Sequence, residues 1–449
     1  MKKRIIKEQM ELENLASSTV EFAVSKGADQ AEISILKSTG LSVTCRNGHQ
    51  ENIKFSKNRS LEVVVYKNGR KGSAITTDMS NEAVTNSVIA ALNLSDYTAS
   101  DDCSGIPETE DLIKEQFDLE LFYPRESDPI EAFDIALNLE NIAMSKDDRI
   151  KISNGSSFSS SYGISVLANS NNFVISEPNS FFALNVNLIG ELDGKMENNG
   201  SGHCSTDFSR LWSCEKIADE AISETVGMLG AHKFATGNYP VILRRDIAES
   251  FLFSIISALG GSAQYKHSSF LSSSLHTKVV SDWLNIDIDP LIKRSLYSST
   301  SDNEGVKTVA HPLIHEGYVE SYLLSSYSAR KLGMKTNGHS GFLGNVLVRD
   351  NRKIEYGYAE LLKLMDKGLI ITETMGHGLN QVTGDFSYGA CGFYVESGII
   401  QYPVKGITIA GNVKDLFANR IIALGTDYDE RQNINCGSIL FDELKVASM

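Results

Sequence analysis

The chain has 449 residues, 41% of them hydrophobic, and 42 Lys and Arg stand against 57 Asp and Glu for a formal net charge of -15. Such a length and apolar content support a sizeable core divided among two or three domains. The acidic balance argues against a nonspecific grip on nucleic acid, which depends on basic residues neutralising phosphates, so no direct nucleic-acid partner is expected.

The opening MKKRIIKEQMELENLASS is basic but acquires Glu8, Glu11 and Glu13 before any apolar run develops, unlike a signal segment. From Glu8 to Lys26, Leu12, Leu15, Val20 and Ala23 fall near helical spacing, and Gly27 marks a stop. Alternating segments AEISILK, LSVTCR and LEVVVYKNGRKGSAITT then predict strands. Within the last, Asn68-Gly69 predicts a hairpin, because both residues tolerate the positive φ of a type I′ turn. Ser80 is placed to cap a helix running to about Leu92. The Asp-, Glu- and Gly-rich stretch from Asn93 to Asp111 reads as a surface linker, which closes an N-terminal α/β domain at 1–110.

A middle region, 111–235, begins with a well-written helix start: Asp128 as cap, Pro129 at the first helical position and Glu131 completing a capping box, with the helix running to about Met144. From Ile150 to Asn199 the pattern changes to strands and Ser/Asn-rich turns, an antiparallel meander. A helix over about 207–229 returns the chain toward Gly237. The third region, 236–449, starts with the strand VILRR and a helix around Phe251, then reads mainly as strand and turn. Its glycines at 376, 378, 384, 389, 392, 398, 406, 411, 425 and 437 predict strands that bend, bulge or approach another backbone, as in a closed or nearly closed barrel. The expected fold is α+β: α/β regions followed by a β-rich, barrel-like C-terminal domain. Nothing in the chain approaches roughly 20 consecutive apolar residues, so no membrane span is expected. Six cysteines, at 45, 103, 204, 214, 391 and 436, lack CxxC spacing and read as reduced thiols of a cytoplasmic protein.

Three glycine-punctuated blocks carry a resemblance: YSARKLGMKTNGHSG from Tyr327, TETMGHGLNQVTGDFSYGACGFYVESGIIQYPVKGITIAGN from Thr372, and NCGSIL from Asn435. Their order and spacing resemble the C-terminal region of the PmbA (TldE) branch of the TldD/PmbA family of metalloproteases and gyrase modulators, and the likeness extends more weakly through the whole chain. In that family the metal-bearing members resemble one another in a helical HExxxH motif, in which two histidines hold the ion and the glutamate acts as general base. Neither HExxxH nor HExxH occurs here. His315-Glu316 lacks a second histidine and sits in HEGYVESYLL, which reads as a turn and a strand. With KHSSFL from Lys266 as anchor, the family motif falls on the helix around Phe251, where Leu252 and Ser257 take the histidine positions and Phe253 that of the glutamate. A family cysteine ligand falls on Cys436, which reads as a small buried hydrophobe without partner histidines.

The resemblance implies a cytoplasmic protease subunit acting on unfolded or flexible peptides, with no catalytic residue or cofactor of its own. A TldD-type chain is its expected heterodimer partner and brings a zinc-type divalent metal; a homodimer is allowed in isolation. A β-rich chamber suits an extended peptide held by strand addition. Arg330, His339, His377 and Asp385 are the candidate peptide-binding or interface residues: the histidines lie beside glycines, and Arg330 with Lys331 suits either a peptide carboxylate or Asp385. Two alternatives remain. One is a nonenzymatic adaptor for a gyrase or toxin-antitoxin protein, and the other a standalone hydrolase built around His339, His377 and Cys436.

Overall fold

Helix α1 (Lys2–Ser25) turns Ile5, Leu12, Ala16, Val20 and Ala23 inward, a single stripe with no member more than 6% exposed. This is the spacing an amphipathic helix needs to cover a sheet. The sheet comes from a computed structural model that describes residues 2–376 and 378–448. Strands β1 (Gln30–Arg46), β2 (His49–Lys67) and β3 (Arg70–Thr76) form a meander, followed by α2 (Asn81–Ser95). Asn68 and Gly69 turn the β2–β3 hairpin with φ of 53° and 71°, as the dipeptide predicts. Ser80 caps α2 by accepting the Ala83 N–H at 3.3 Å.

The pattern then repeats. Helix α3 (Pro129–Ser145) precedes β4 (Ile150–Asn169), β5 (Phe173–Leu192) and β6 (Lys195–Ser205), and α4 (Cys214–Gly227) follows. The two helix-meander-helix units share one antiparallel sheet of order β3-β2-β1-β4-β5-β6, with the first strands of each unit paired at its centre. Strands on either side of the boundary expected at 110 therefore belong to one sheet. Helices α1 and α2 cover a core around Ile33, Val63 and Val166, while α3 and α4 cover another around Val43, Phe158 and Leu184.

Two local expectations need correction. Glu131 closes no capping box: Asp128 accepts the Ile130 N–H at 3.2 Å, but the exposed Glu131 carboxylate pairs with the Arg125 guanidinium, a charged partner a backbone N–H does not match. The helix expected over 207–229 is split into a single turn at Phe208–Arg210 and α4, because Ser213 in an extended conformation caps a fresh start by accepting from Lys216 N–H. The α3 residue Glu140, 1% exposed, accepts hydrogen bonds from Gly48 N–H (2.7 Å), Asn47 N–H (3.0 Å), the Cys45 thiol (3.2 Å) and the Ser153 hydroxyl. It pins the β1–β2 turn to the helix.

The third region contains β7 (Gly237–Leu243), α5 (Arg245–Ala258), α6 (Gly261–Tyr265), β8 (Leu284–Asp289), β9 (His311–His315), β10 (Tyr318–Val319), α7 (Ser326–Leu332) and β11 (Asn345–Asp350). It continues with α8 (Tyr358–Met365), β12 (Gly368–Met375), β13 (Asp385–Glu396), β14 (Ile399–Asn412), α9 (Val413–Asn419), β15 (Ile421–Leu424), β16 (Ile434–Asn435) and β17 (Ile439–Ser448). Strands β14, β13, β12, β7 and β17 close a five-stranded ring, with β15 added on β17, so the expected barrel is present and closed. The runs VIL at 241–243, LII at 369–371 and ILF at 439–441 are apolar at every position because both faces are covered there. Val241, Leu243, Leu369, Ile371, Ile439 and Phe441 face the main core, whereas Ile242, Ile370 and Leu440 face α8. A second sheet, β10-β9-β8-β11-β16, packs beside it. The His315-Glu316 pair lies at the β9–β10 turn, the strand-and-turn setting read from sequence. No helix among the described residues is long and apolar enough to cross a membrane.

Candidate functional site

A cleft of about 1010 Å³ opens where α4 and β6 of the sheet face the start of α5, the end of β12 and the loop between β15 and β17. Three arginines organise it. Arg244, just before α5, donates to both Glu224 oxygens at 2.7 and 2.9 Å and to both Asp246 oxygens at 2.7 and 2.8 Å. Arg431 grips Glu220 at 2.6 and 2.9 Å and Asp429 through its Nε at 2.8 Å, while its guanidinium lies 4.6 Å from the Trp212 ring centre. Arg245 stands 3.6 Å from Glu220 and 3.5 Å from Asp429. Burial opposes the charge on Arg244, but Asp246 and Glu224 outweigh it and keep the guanidinium protonated. Burial likewise opposes ionisation of Asp429, yet the hydrogen bonds and charge of Arg431 pull its carboxyl below the usual range. Since Glu220 and Glu224 come from α4 and the arginines from the third region, these ion pairs join the sheet to the barrel.

The NCGSIL block holds in place the loop that brings Asp427 to the cleft. Ser438 accepts the Arg245 N–H at 3.1 Å and donates its hydroxyl to Asp427 at 2.7 Å, which ties the loop to the first turn of α5. Gly437 passes so close to Gly425 that a Cβ there would lie 1.9 Å from the Gly425 carbonyl oxygen, so no side chain fits. Cys436 is fully buried with its thiol 3.6 Å from the Arg245 carbonyl oxygen. Burial, reinforced by Glu249, Asp427 and Asp246, pushes that thiol well above its ordinary pKa, so it stays protonated.

The donor set a zinc-type ion needs does not fit here. Leu252 lies in the core and Phe253 is 54% exposed, so these neighbours on α5 face opposite ways; Ser257 is half-buried. None of the three carries an imidazole or a carboxylate, and the Cys436 thiol is neutral and hydrogen-bonded to backbone. Among the described residues no group of three or more His, Cys, Asp or Glu is placed to hold a metal. Among the described residues the ring strands close on one another and only the short β15 ends that sheet. The six-stranded sheet ends in β3 and β6, and Asn198 to Ser201 of β6 line the cleft.

The residues singled out from sequence are dispersed. Arg330 donates to the carbonyl oxygens of Ile106 (2.6 Å), Gly105 (3.1 Å) and Cys103 (3.2 Å) and pairs with Glu108, so its guanidinium is committed to the linker after α2. Lys331 pairs with Asp101 of the same linker. Asp385, exposed at the start of β13, accepts from Asn412 at 2.9 Å and Thr383 at 2.7 Å, bonds that lower its pKa and leave it unpaired with Arg330. His339 is buried beyond α7, away from the cleft, and burial pushes it down to about 4. His377 lies outside the described residues. The cleft residues that sequence reading passed over carried one signal, the density of charge in RRD at 244–246 and DYDER at 427–431.

The chain matches three family models in order: PmbA/TldA metallopeptidase domain 1 at 31–95, the central domain at 122–229 and the C-terminal domain at 236–448. It is 38% identical over 436 residues to the metalloprotease PmbA of Escherichia coli O157:H7, covering 97% of this chain and 96% of that one. In fold it is similar to a candidate modulator of DNA gyrase from Bacteroides thetaiotaomicron, with a TM-score of 0.91 at 23% identity over 98% of this chain and 99% of the other. It is also similar to TldE from Thermococcus kodakarensis, with a TM-score of 0.83 at 18% identity over 97% and 100% of the two chains.

Proposed function

Because the chain belongs to the PmbA/TldD metallopeptidase family, we propose that it is the supporting subunit of a two-chain cytoplasmic metalloprotease that acts on unfolded or flexible peptides. A TldD-type chain supplies the zinc-type ion and the water it activates. This chain lacks the donor set: Leu252, Phe253 and Ser257 offer no metal ligand, and the neutral Cys436 thiol faces backbone. That single observation carries the reading.

What this chain contributes is a wall. The β6 edge offers backbone N–H and C=O groups to an extended peptide regardless of its side chains. The arginine–carboxylate network holds that edge against α5. With every cleft arginine already engaged by carboxylates, the cleft favours neutral backbone over a charged side chain.

The experiment is cleavage of an unfolded peptide by this chain alone, by a TldD-type chain alone and by the two mixed. Cleavage that requires the TldD-type chain and rises on mixing is the expected result. Metal-dependent cleavage by this chain alone overturns the reading, and peptide binding without cleavage in the mixture replaces it with the adaptor.

A further inference from the structure

His311, at the start of β9, and His339, in the loop after α7, pack with ring centres 5.1 Å apart and planes at 60°. Each is held the same way. The Nδ1 of His311 lies 3.0 Å from the Val309 carbonyl oxygen, and the Nδ1 of His339 lies 3.0 Å from that of Phe342. A carbonyl only accepts, so both rings carry their proton on Nδ1 and donate it, which leaves the Nε2 lone pair of each as an acceptor. Both Nε2 atoms are buried and have no protein partner. Buried acceptors of this kind are rare in folded proteins unless water or an ion satisfies them.

The arrangement matches what metal-binding histidines use: a backbone carbonyl fixes the tautomer through one nitrogen while the other nitrogen binds. The spacing admits an ion between the rings. Two imidazoles bound to one tetrahedral ion through bonds of about 2.0–2.1 Å have ring centres about 5 Å apart. Two imidazoles bridged by one water at about 2.8 Å have them about 6 Å apart. The observed 5.1 Å matches the ion, and it equally matches a plain edge-to-face ring contact, so the two orphaned Nε2 acceptors carry the assignment. Burial favours the neutral form of His339, the form that ligates.

We propose that His311 and His339 form a two-histidine site for a divalent transition-metal ion of the zinc class, which ties the loop after α7 to β9. The protein supplies two ligands, and water or a mobile anion fills the remaining positions of a tetrahedral ion. His311 is half-buried as a residue, while the Nε2 atoms of both rings are enclosed. The site is separate from the cleft and does not rest on the subunit reading: losing it leaves peptide cleavage by the mixed chains unchanged.

The test uses the untagged full chain, freed of metal with a chelator and titrated with Zn²⁺ by calorimetry, together with its thermal unfolding with and without the ion. One equivalent of zinc and a zinc-dependent rise in Tm are expected. His311→Ala and His339→Ala each weaken binding by about tenfold or more and abolish the rise. Should His339→Ala fail to fold, His311→Ala, at the more exposed position, decides alone. His232→Ala, whose ring packs on Tyr402, retains binding. No zinc bound by the native chain, unchanged binding in His311→Ala, or equal loss in His232→Ala overturns the assignment.

Discussion

The six-stranded sheet and the five-stranded barrel are assembled by opposite rules. In the sheet every neighbouring pair but β1–β4 is joined by a short turn. In the barrel ring only β13–β14 is so joined; β12 reaches β13 through the longer segment 376–384, β7 must find β12 and β17, and β14 must find β17. Local pairing makes the sheet tolerant of single losses at its ends. Long-range pairing makes the barrel dependent on a few shared core side chains.

The sharpest way to break this comparison is Phe441→Ala. Phe441 is fully buried on β17, in edge-to-face contact with Phe417 at 5.5 Å. Its loss should cost about 3–5 kcal/mol. Denaturant unfolding followed by fluorescence and far-UV circular dichroism should show the barrel melting ahead of the sheet; a single coincident transition would mean the cleft ion pairs weld the two into one cooperative unit.

Glu140→Ala comes next, at about 2–3 kcal/mol, because it strands the N–H groups of Asn47 and Gly48 and the Ser153 hydroxyl. Burial alone would raise the Glu140 pKa, but the hydrogen bonds from Ser153, Gly48, Cys45 and Asn47 outweigh it and set it below the ordinary value. Its stabilisation is therefore complete above the unfolded pKa of about 4.3 and disappears as pH falls through the lower folded value. Chemical denaturation from about pH 6 down to about pH 3 should show a shallower loss in Glu140→Gln than in the native chain, and parallel curves would contradict the assignment.

Arg330→Ala should cost about 1–3 kcal/mol and free the linker after α2, read as faster proteolytic cutting between Asp101 and Glu108. The smallest effect, about 1 kcal/mol, is expected for Gly69→Ala, which forces an L side chain into φ of 71°. Equal Tm values for Gly69→Ala and the native chain would show that the hairpin turn is not held in that conformation.

The difference between the regions also explains what was readable beforehand. Asn68-Gly69, Ser80 and Asp128-Pro129 announce turns and helix starts because each acts within four residues of itself. The barrel's existence was legible from its glycines, but not its closure pattern, since nothing in ILF at 439–441 says that it will lie against VIL at 241–243. The cleft was the least legible part. Arg244 meets Glu224, and Arg431 meets Glu220, across a seam between regions, and ion pairs leave no periodicity in a sequence. Arg330 looked available for a ligand because all its partners but Glu108 are backbone carbonyls of the linker, which carry no residue-type signal.

The closure of the ring has a further consequence for how the chain is made. On a ribosome, β1 to β6 can pair as they emerge, and all six strands leave it before residue 237 does. Strand β7 then waits with both edges bare until residues 368 and 439 follow. During that interval VIL at 241–243 is an unpaired apolar edge next to the apolar face of α5, the kind of surface that nascent chains lose to aggregation unless a chaperone covers it.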